Sequence, residues 1–238
     1  MDIRAEVWSP LQNTAVWLGA WLHGLEATDN VIDALGDLGA DALTDVLGDI
    51  RRSVRLDSGE PALRLVLSGP GEAPALPAGS AAASAAGALV LADPDPLTHH
   101  ILVPEEAGNW EWFVEEGPLP APAWLSPGEA DQLLTEATNE AARLVLASGY
   151  TTDALVSPRL TVGTLADFYD TPGLPAAVPG RAAKLFARAD RVAAIIETVT
   201  RRMDDHRIDP QLLGLWRHIR TARMAGVAYA VREFGRLT

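Results

Sequence analysis

The chain has 238 residues, 48% of them apolar, no cysteine, and a formal charge of −13. That length suits one large domain or two small ones and is enough to bury roughly 70–75% of the unfolded surface. The missing cysteines exclude disulfides, thiolate zinc sites and cysteine nucleophiles.

The longest strongly apolar run, Ala15 to Leu22, is far shorter than the roughly 20 residues a membrane-crossing helix needs. Asp2 and Glu6 offset Arg4, and no small-residue cleavage site follows, so no secretory leader is read. A cytoplasmic protein is expected. One lysine, Lys184, among eighteen arginines, together with abundant alanine, suggests a GC-rich bacterial genome. Charge is uneven. Residues 1–180 hold seven basic and twenty-six acidic residues, −19, whereas residues 181–238 hold twelve and six, +6.

Ser9-Pro10 reads as a helix start, N-cap followed by first-turn proline. Leu11, Thr14, Leu18, Trp21, Leu22 and Leu25 follow at helical spacing and predict a core helix. Asp29, Asp33, Asp37, Asp41, Asp45 and Asp49 then recur every fourth residue. On one helix each step drifts about 40°, so the ladder forms a polar arc with Val31, Ile32, Leu35, Ala42, Leu43, Val46 and Ile50 opposite. Glycine at 36, 39 and 48 and the mutual repulsion of the aspartates argue for a break near Gly36–Gly39. Asp29 and Asp41 are the expected caps of the two pieces.

Ala62–Ser68, Ala88–Ala92, His100–Pro104 and Trp110–Glu115 read as short strands of an antiparallel meander, the last two joined by a hairpin loop at 105–109. Gly69–Gly87 is low in complexity and is expected to be a mobile loop. The Pro-rich stretch Gly117–Gly128 divides a helix-plus-sheet region, 1–126, from a helical region, 127–238, within one compact unit or two. Helices are predicted at Pro127–Ala147, Val162–Tyr169, Gly180–Asp205 and Pro210–Arg236. Leu185, Ala189, Val192, Ile196, Val199 and Met203 form a seam for a partner helix, and the last two helices form a hairpin. The fold class is α+β: an N-terminal helical segment, a small antiparallel sheet of about four strands, and a mainly helical C-terminal half.

Phosphate-loop, dinucleotide, nucleophile-elbow and zinc-protease motifs are all absent, so no cofactor is expected. His99 and His100 are adjacent on a strand and point to opposite faces, so they cannot chelate one ion. Asp204, Asp205, His206 and Asp209 cluster where one long helix gives way to the next, where turn and cap roles suffice. The aspartate ladder lacks the looped convergence of oxygens that a specific cation site needs, so no metal is assigned. Arg217, Arg220 and Arg223 share roughly one helical face, with Arg201, Arg202 and Arg207 nearby. This face is expected to neutralise the ladder, within the chain or across a dimer. The acidic whole argues against nucleic acid.

Two function classes remain open. One is a non-enzymatic interaction or adaptor protein with a protein partner, itself included, using the ladder and Arg217, Arg220 and Arg223. The other is an enzyme or ligand binder with a site between sheet and helices, using His99, His100, Trp110, Trp112 and the Asp204–Asp209 cluster.

Overall fold

The structure is a computed structural model that describes residues 9–56, 61–69, 72, 74–105, 108–121, 125–147, 173–202 and 209–238, without the side chains at 145–146, 198–202 and 209–213. The predicted helix at Val162–Tyr169 and the residues Asp204, Asp205 and His206 lie outside the described residues.

Helix α1 (Ser9–Leu22) is buried on nearly all sides; only Pro10 and Trp17 escape. A helix apolar all round belongs at the centre of a fold, and α1 sits there, packed on the sheet and on the last helix. Helix α2 (Thr28–Asp37) follows, then a 3-10 segment (Asp41–Val46) and α3 (Leu47–Ser53). The expected break is built on Gly39, whose φ is +69°. The Ala40 amide reaches the Leu35 carbonyl at 2.8 Å and the Gly39 amide reaches Gly36 at 3.1 Å. This paired closure of a helix end relies on a left-handed residue, which glycine adopts without a Cβ penalty. The expected aspartate caps are not found. Ala27 and Ala40 hold the N-cap positions and neither makes a side-chain cap bond. Asp29 lies instead in the first turn of α2, where the helix dipole favours a negative charge. Of the apolar residues expected opposite the ladder, Ile32 is the one left exposed.

Strands β1 (Leu63–Leu67), β2 (Gly87–Ala92), β3 (Thr98–Pro104) and β4 (Trp110–Glu116) form one antiparallel sheet in sequential order. The register separates two faces. Leu63, Leu65, Leu67, Leu89, Leu91 and Leu102 join α1, α2 and the end of the chain in the main core. Val66, Val90, Ile101 and Val103 point the other way.

That second face corrects the low-complexity expectation. Leu76 and Ala82 are buried against Val66, Val90, Ile101 and Val103, with Ala75 and Ala85 packed beside them. The segment is tied down by polar contacts as well. Ser80 caps a short 3-10 turn (Ala81–Ser84), Glu115 accepts the Ala81 amide at 2.8 Å, and the Ser68 hydroxyl donates to the Ala85 carbonyl at 2.6 Å. Composition alone missed this, because a single leucine and several alanines suffice to cover a sheet face of short aliphatic side chains.

Helix α4 (Pro127–Ala147) opens on a reciprocal capping box: the Glu129 amide donates to the Ser126 hydroxyl, and Glu129 accepts the Ser126 amide at 2.8 Å. It packs against the hairpin of α5 (Gly180–Arg202) and α6 (Asp209–Leu237). Leu185, Ala189, Val192 and Ile196 are buried there as the seam predicts. Helix α6 serves two cores. Leu215, Trp216, Ile219 and Ala222 lie in the helical bundle, whereas Val227, Ala230, Val231 and Phe234 lie in the core beneath the sheet.

Candidate functional site

The aspartate ladder stands in solvent. All six residues are exposed. Asp49 pairs with Arg52 one turn on, and the other five make no ion pair among the described residues. The hairpin loop between β3 and β4 lies against the break in the ladder: a Cβ on Gly108 would stand 3.0 Å from the Gly39 carbonyl. The acidic ladder and the start of β4 are therefore neighbours.

The arginines expected to neutralise it within the chain are engaged elsewhere. Arg220, 2% exposed, donates from Nε and Nη2 to the Glu72 carboxylate at 3.0 and 2.6 Å. Arg217 reaches the other Glu72 oxygen at 3.0 Å from an exposed position. A Cβ on Gly69 would fall inside the Arg220 guanidinium, so glycine lets this cation lie against the backbone. Arg223, 0% exposed, donates to Gln12 on α1 at 2.7 Å and lies 2.7 Å from Asp190 on α5. Both buried cations are thus structural pins: one holds α6 to the β1–β2 connection, the other joins α1, α5 and α6. The correction has a physical cause. Residues spaced by three along a long helix turn toward different neighbours, and burial obliges a charge to pair with whatever carboxylate is adjacent. The sequence did not single out Glu72 or Asp190, because neither stands in a motif.

His100 is held between two partners. The Trp112 Nε1–H can only donate, so His100 Nδ1 accepts it at 3.1 Å, and Nε2 carries the proton that Asp93 accepts at 2.8 Å. The Trp112 and His100 rings meet edge to face, 5.6 Å between centroids. Burial opposes ionisation of Asp93, but the Asp95 amide and the His100 ring outweigh it and hold the carboxyl below its ordinary value. An aspartate–histidine pair resembles half of an acid–base device. Here the second ring nitrogen is occupied by tryptophan, which leaves no free position to accept a substrate proton. His99 points to the opposite face, as expected, and donates to the Gly117 carbonyl at 2.8 Å. Trp110 and Trp112 are half-buried and pack on the main core. The structure thus brings His100 and Trp112 together, leaves His99 apart from them, and adds Asp93.

A cleft of about 650 Å³ opens at the end of the sheet where β2 turns into β3. Arg55, Arg64, Asp95, Leu97, His99 and Leu119 line it, between walls rich in proline. It lies at the rim of the sheet on the His99 side, not between sheet and helices. Of the expected cluster at 204–209, only Asp209 is described, as the first residue of α6. Among the described residues no group of three or more histidine, aspartate or glutamate side chains could hold a metal ion, and no helix is long and apolar enough to cross a membrane.

Residues 12–124 match the family model described as the N-terminal domain of Rv1486c-like proteins, and residues 128–224 match the one described as their C-terminal domain. Two curated proteins of Mycobacterium tuberculosis are similar: "Uncharacterized protein Rv1486c" of strain H37Rv and "Uncharacterized protein MT1533" of strain CDC 1551. Each is 26% identical over 237 aligned positions, covering 80% of this chain and 82% of the relative. No solved structure matches.

Proposed function

The chain belongs to the Rv1486c-like family, and we propose that it works by binding another protein and not by catalysis. The partner is cationic and docks on the acidic surface of residues 29–49. The observation that carries this reading is the ladder itself: five exposed aspartates without an ion pair among the described residues, in a chain whose buried arginines are committed to Glu72 and Asp190. Long single-sign fields of this kind raise encounter rates and select partners of opposite charge. The occupied ring nitrogens of His100 favour the same side of the choice.

Zero-length carbodiimide coupling in cells joins carboxylates to nearby lysines. Cross-links from Asp37, Asp41 and Asp45 to lysines of one other protein, lost when all three become asparagine, are the expected result. Cross-links that map elsewhere on the surface would remove this reading. A second reading, a small-ligand binder, is favoured by the cleft with Arg55, Arg64 and His99 in its lining. Native mass spectrometry of the protein purified from its own cells tests it through a small adduct that Arg64→Ala abolishes.

A further inference from the structure

We infer that the outer edge of β4 is a strand-addition site for an extended cationic segment of a partner protein. β4 ends the sheet, and among the described elements only β3 runs along it. Its free backbone groups can be assigned. The Gly117 amide donates to Leu97 and the Glu105 amide to Asn109, both at 2.8 Å. Hydrogen-bonded and non-bonded pairs alternate in an antiparallel ladder. With His99 opposite Glu115, Ile101 opposite Phe113 and Val103 opposite Glu111, residues 111, 113 and 115 bond to β3. Trp110, Trp112, Val114 and Glu116 therefore turn their N–H and C=O groups outward. The paired stretch runs seven residues, contains no proline or lysine, and leaves Val114 62% exposed. Those are the features by which sheet edges invite pairing.

Charge selects the occupant. Residues 105–116 carry acidic residues and no basic one; Glu111 and Glu116 are exposed, and the aspartate ladder abuts the hairpin loop. The antiparallel self-pairing that uses all seven residues is centred on Phe113. It would set Glu111 opposite Glu115 of a second copy twice over, and like charges directly opposite are destabilising. A strand with lysine or arginine opposite Glu111, and β-branched residues opposite Trp112 and Val114, meets both the charge and the exposed apolar face. This inference rests on the interaction reading above and places part of that interface on the sheet.

The test uses the full chain and a fluorescein-labelled peptide of alternating lysine and valine, with an alternating glutamate–valine peptide as control. Binding is followed by anisotropy and by amide exchange. The cationic peptide should bind and slow exchange at Trp112, Val114 and Glu116 about tenfold or more, leaving the amides of Phe113 and Glu115 as they were. Val114→Pro removes one outward amide without touching the bonds to β3 and should abolish binding; Val114→Thr, which keeps the amide, should bind normally. Circular dichroism confirms that both variants are folded. Equal binding of the acidic peptide, retained binding by Val114→Pro, or absence of the alternating protection would overturn the inference. Protection of the same amides at high protein concentration without peptide would give the edge to a second copy and overturn it too. Changing Asp37, Asp41 and Asp45 to asparagine leaves the edge intact. Lost carbodiimide cross-links with retained edge protection would therefore separate the two readings.

Discussion

Deleting Ala75 to Ala85 should destabilise the protein severely, and the size of the loss can be worked out. The deletion removes Leu76 and Ala82 from the second face of the sheet and uncovers parts of Val66, Val90, Ile101 and Val103. Fully exposing one such side chain costs about 1.5–3 kcal/mol. Phe113 and Leu119 remain to shield part of that face, so half-exposure of the four gives about 3–6 kcal/mol. Shortening also acts in the opposite direction. The β1–β2 connection, residues 68–86, falls from nineteen residues to eight, and the smaller closure entropy returns only about 0.8 kcal/mol. Burial outweighs loop entropy several-fold. The milder variant Leu76→Ala should cost about 2–4 kcal/mol and lower the thermal midpoint by about 5–12 °C. Circular dichroism melts of both variants measure this, with binding of a hydrophobic dye reporting the uncovered face. Midpoints within about 1 °C of the parent would show that the segment contributes no net burial and would refute the reasoning.

Arg223→Ala should cost about 3–5 kcal/mol by removing the buried cation that faces the Asp190 carboxylate, whereas Arg223→Met combined with Asp190→Leu should recover most of the loss in urea titrations. Gly226→Ala places a Cβ inside the Phe186 ring at the α5–α6 crossing and should cost about 1–3 kcal/mol by the same assay. Ser126→Ala breaks the capping box of α4 and should cost about 1 kcal/mol. His23 is buried with Nε2 unpartnered, and burial lowers its pKa from 6.5. His218 shifts the same way, through burial first and then the neighbouring Arg217. As pH falls below 6.5 the unfolded chain takes up these protons before the folded one, so stability is complete above that value and declines below it. His23→Phe should flatten part of this decline in urea midpoints measured as a function of pH.

Much of the fold was legible because local patterns carried it. Strand alternation placed the meander and the opposite faces of His99 and His100. The three-and-four spacing on α5 marked its buried seam, and Gly39 marked the break in the ladder. The site was less legible. Asp93 lies in a turn without a motif, and only the β2–β3 register, which sets Leu91 against His100, brings it to the imidazole. Trp112 was visible as a candidate, but its hydrogen bond depends on the β3–β4 register, which sets Val114 against His100 and Trp112 diagonally beside it. The burial of Arg220 and Arg223 is not legible in the sequence, because a helix face drawn from spacing does not show what packs upon it.

By itself the sequence determined the element types, the order of the strands, the exposed aspartate arc and the absence of known catalytic motifs, since each follows from spacing or residue identity along the chain. Tertiary structure decided which side chains are buried and with whom. It set Gln12 and Asp190 on Arg223, laid Glu72 on Arg220, folded an alanine-rich segment over the sheet, and left the outer edge of β4 without a described neighbour. The Glu72–Arg220 and Gln12–Arg223 contacts join residues 148 and 211 positions apart, and the other outcomes depend on which helices, segments and strands come to lie side by side. The energy of a buried charge or an unpaired amide is fixed by what surrounds it in space, and that neighbourhood does not exist until the helices have closed on the sheet.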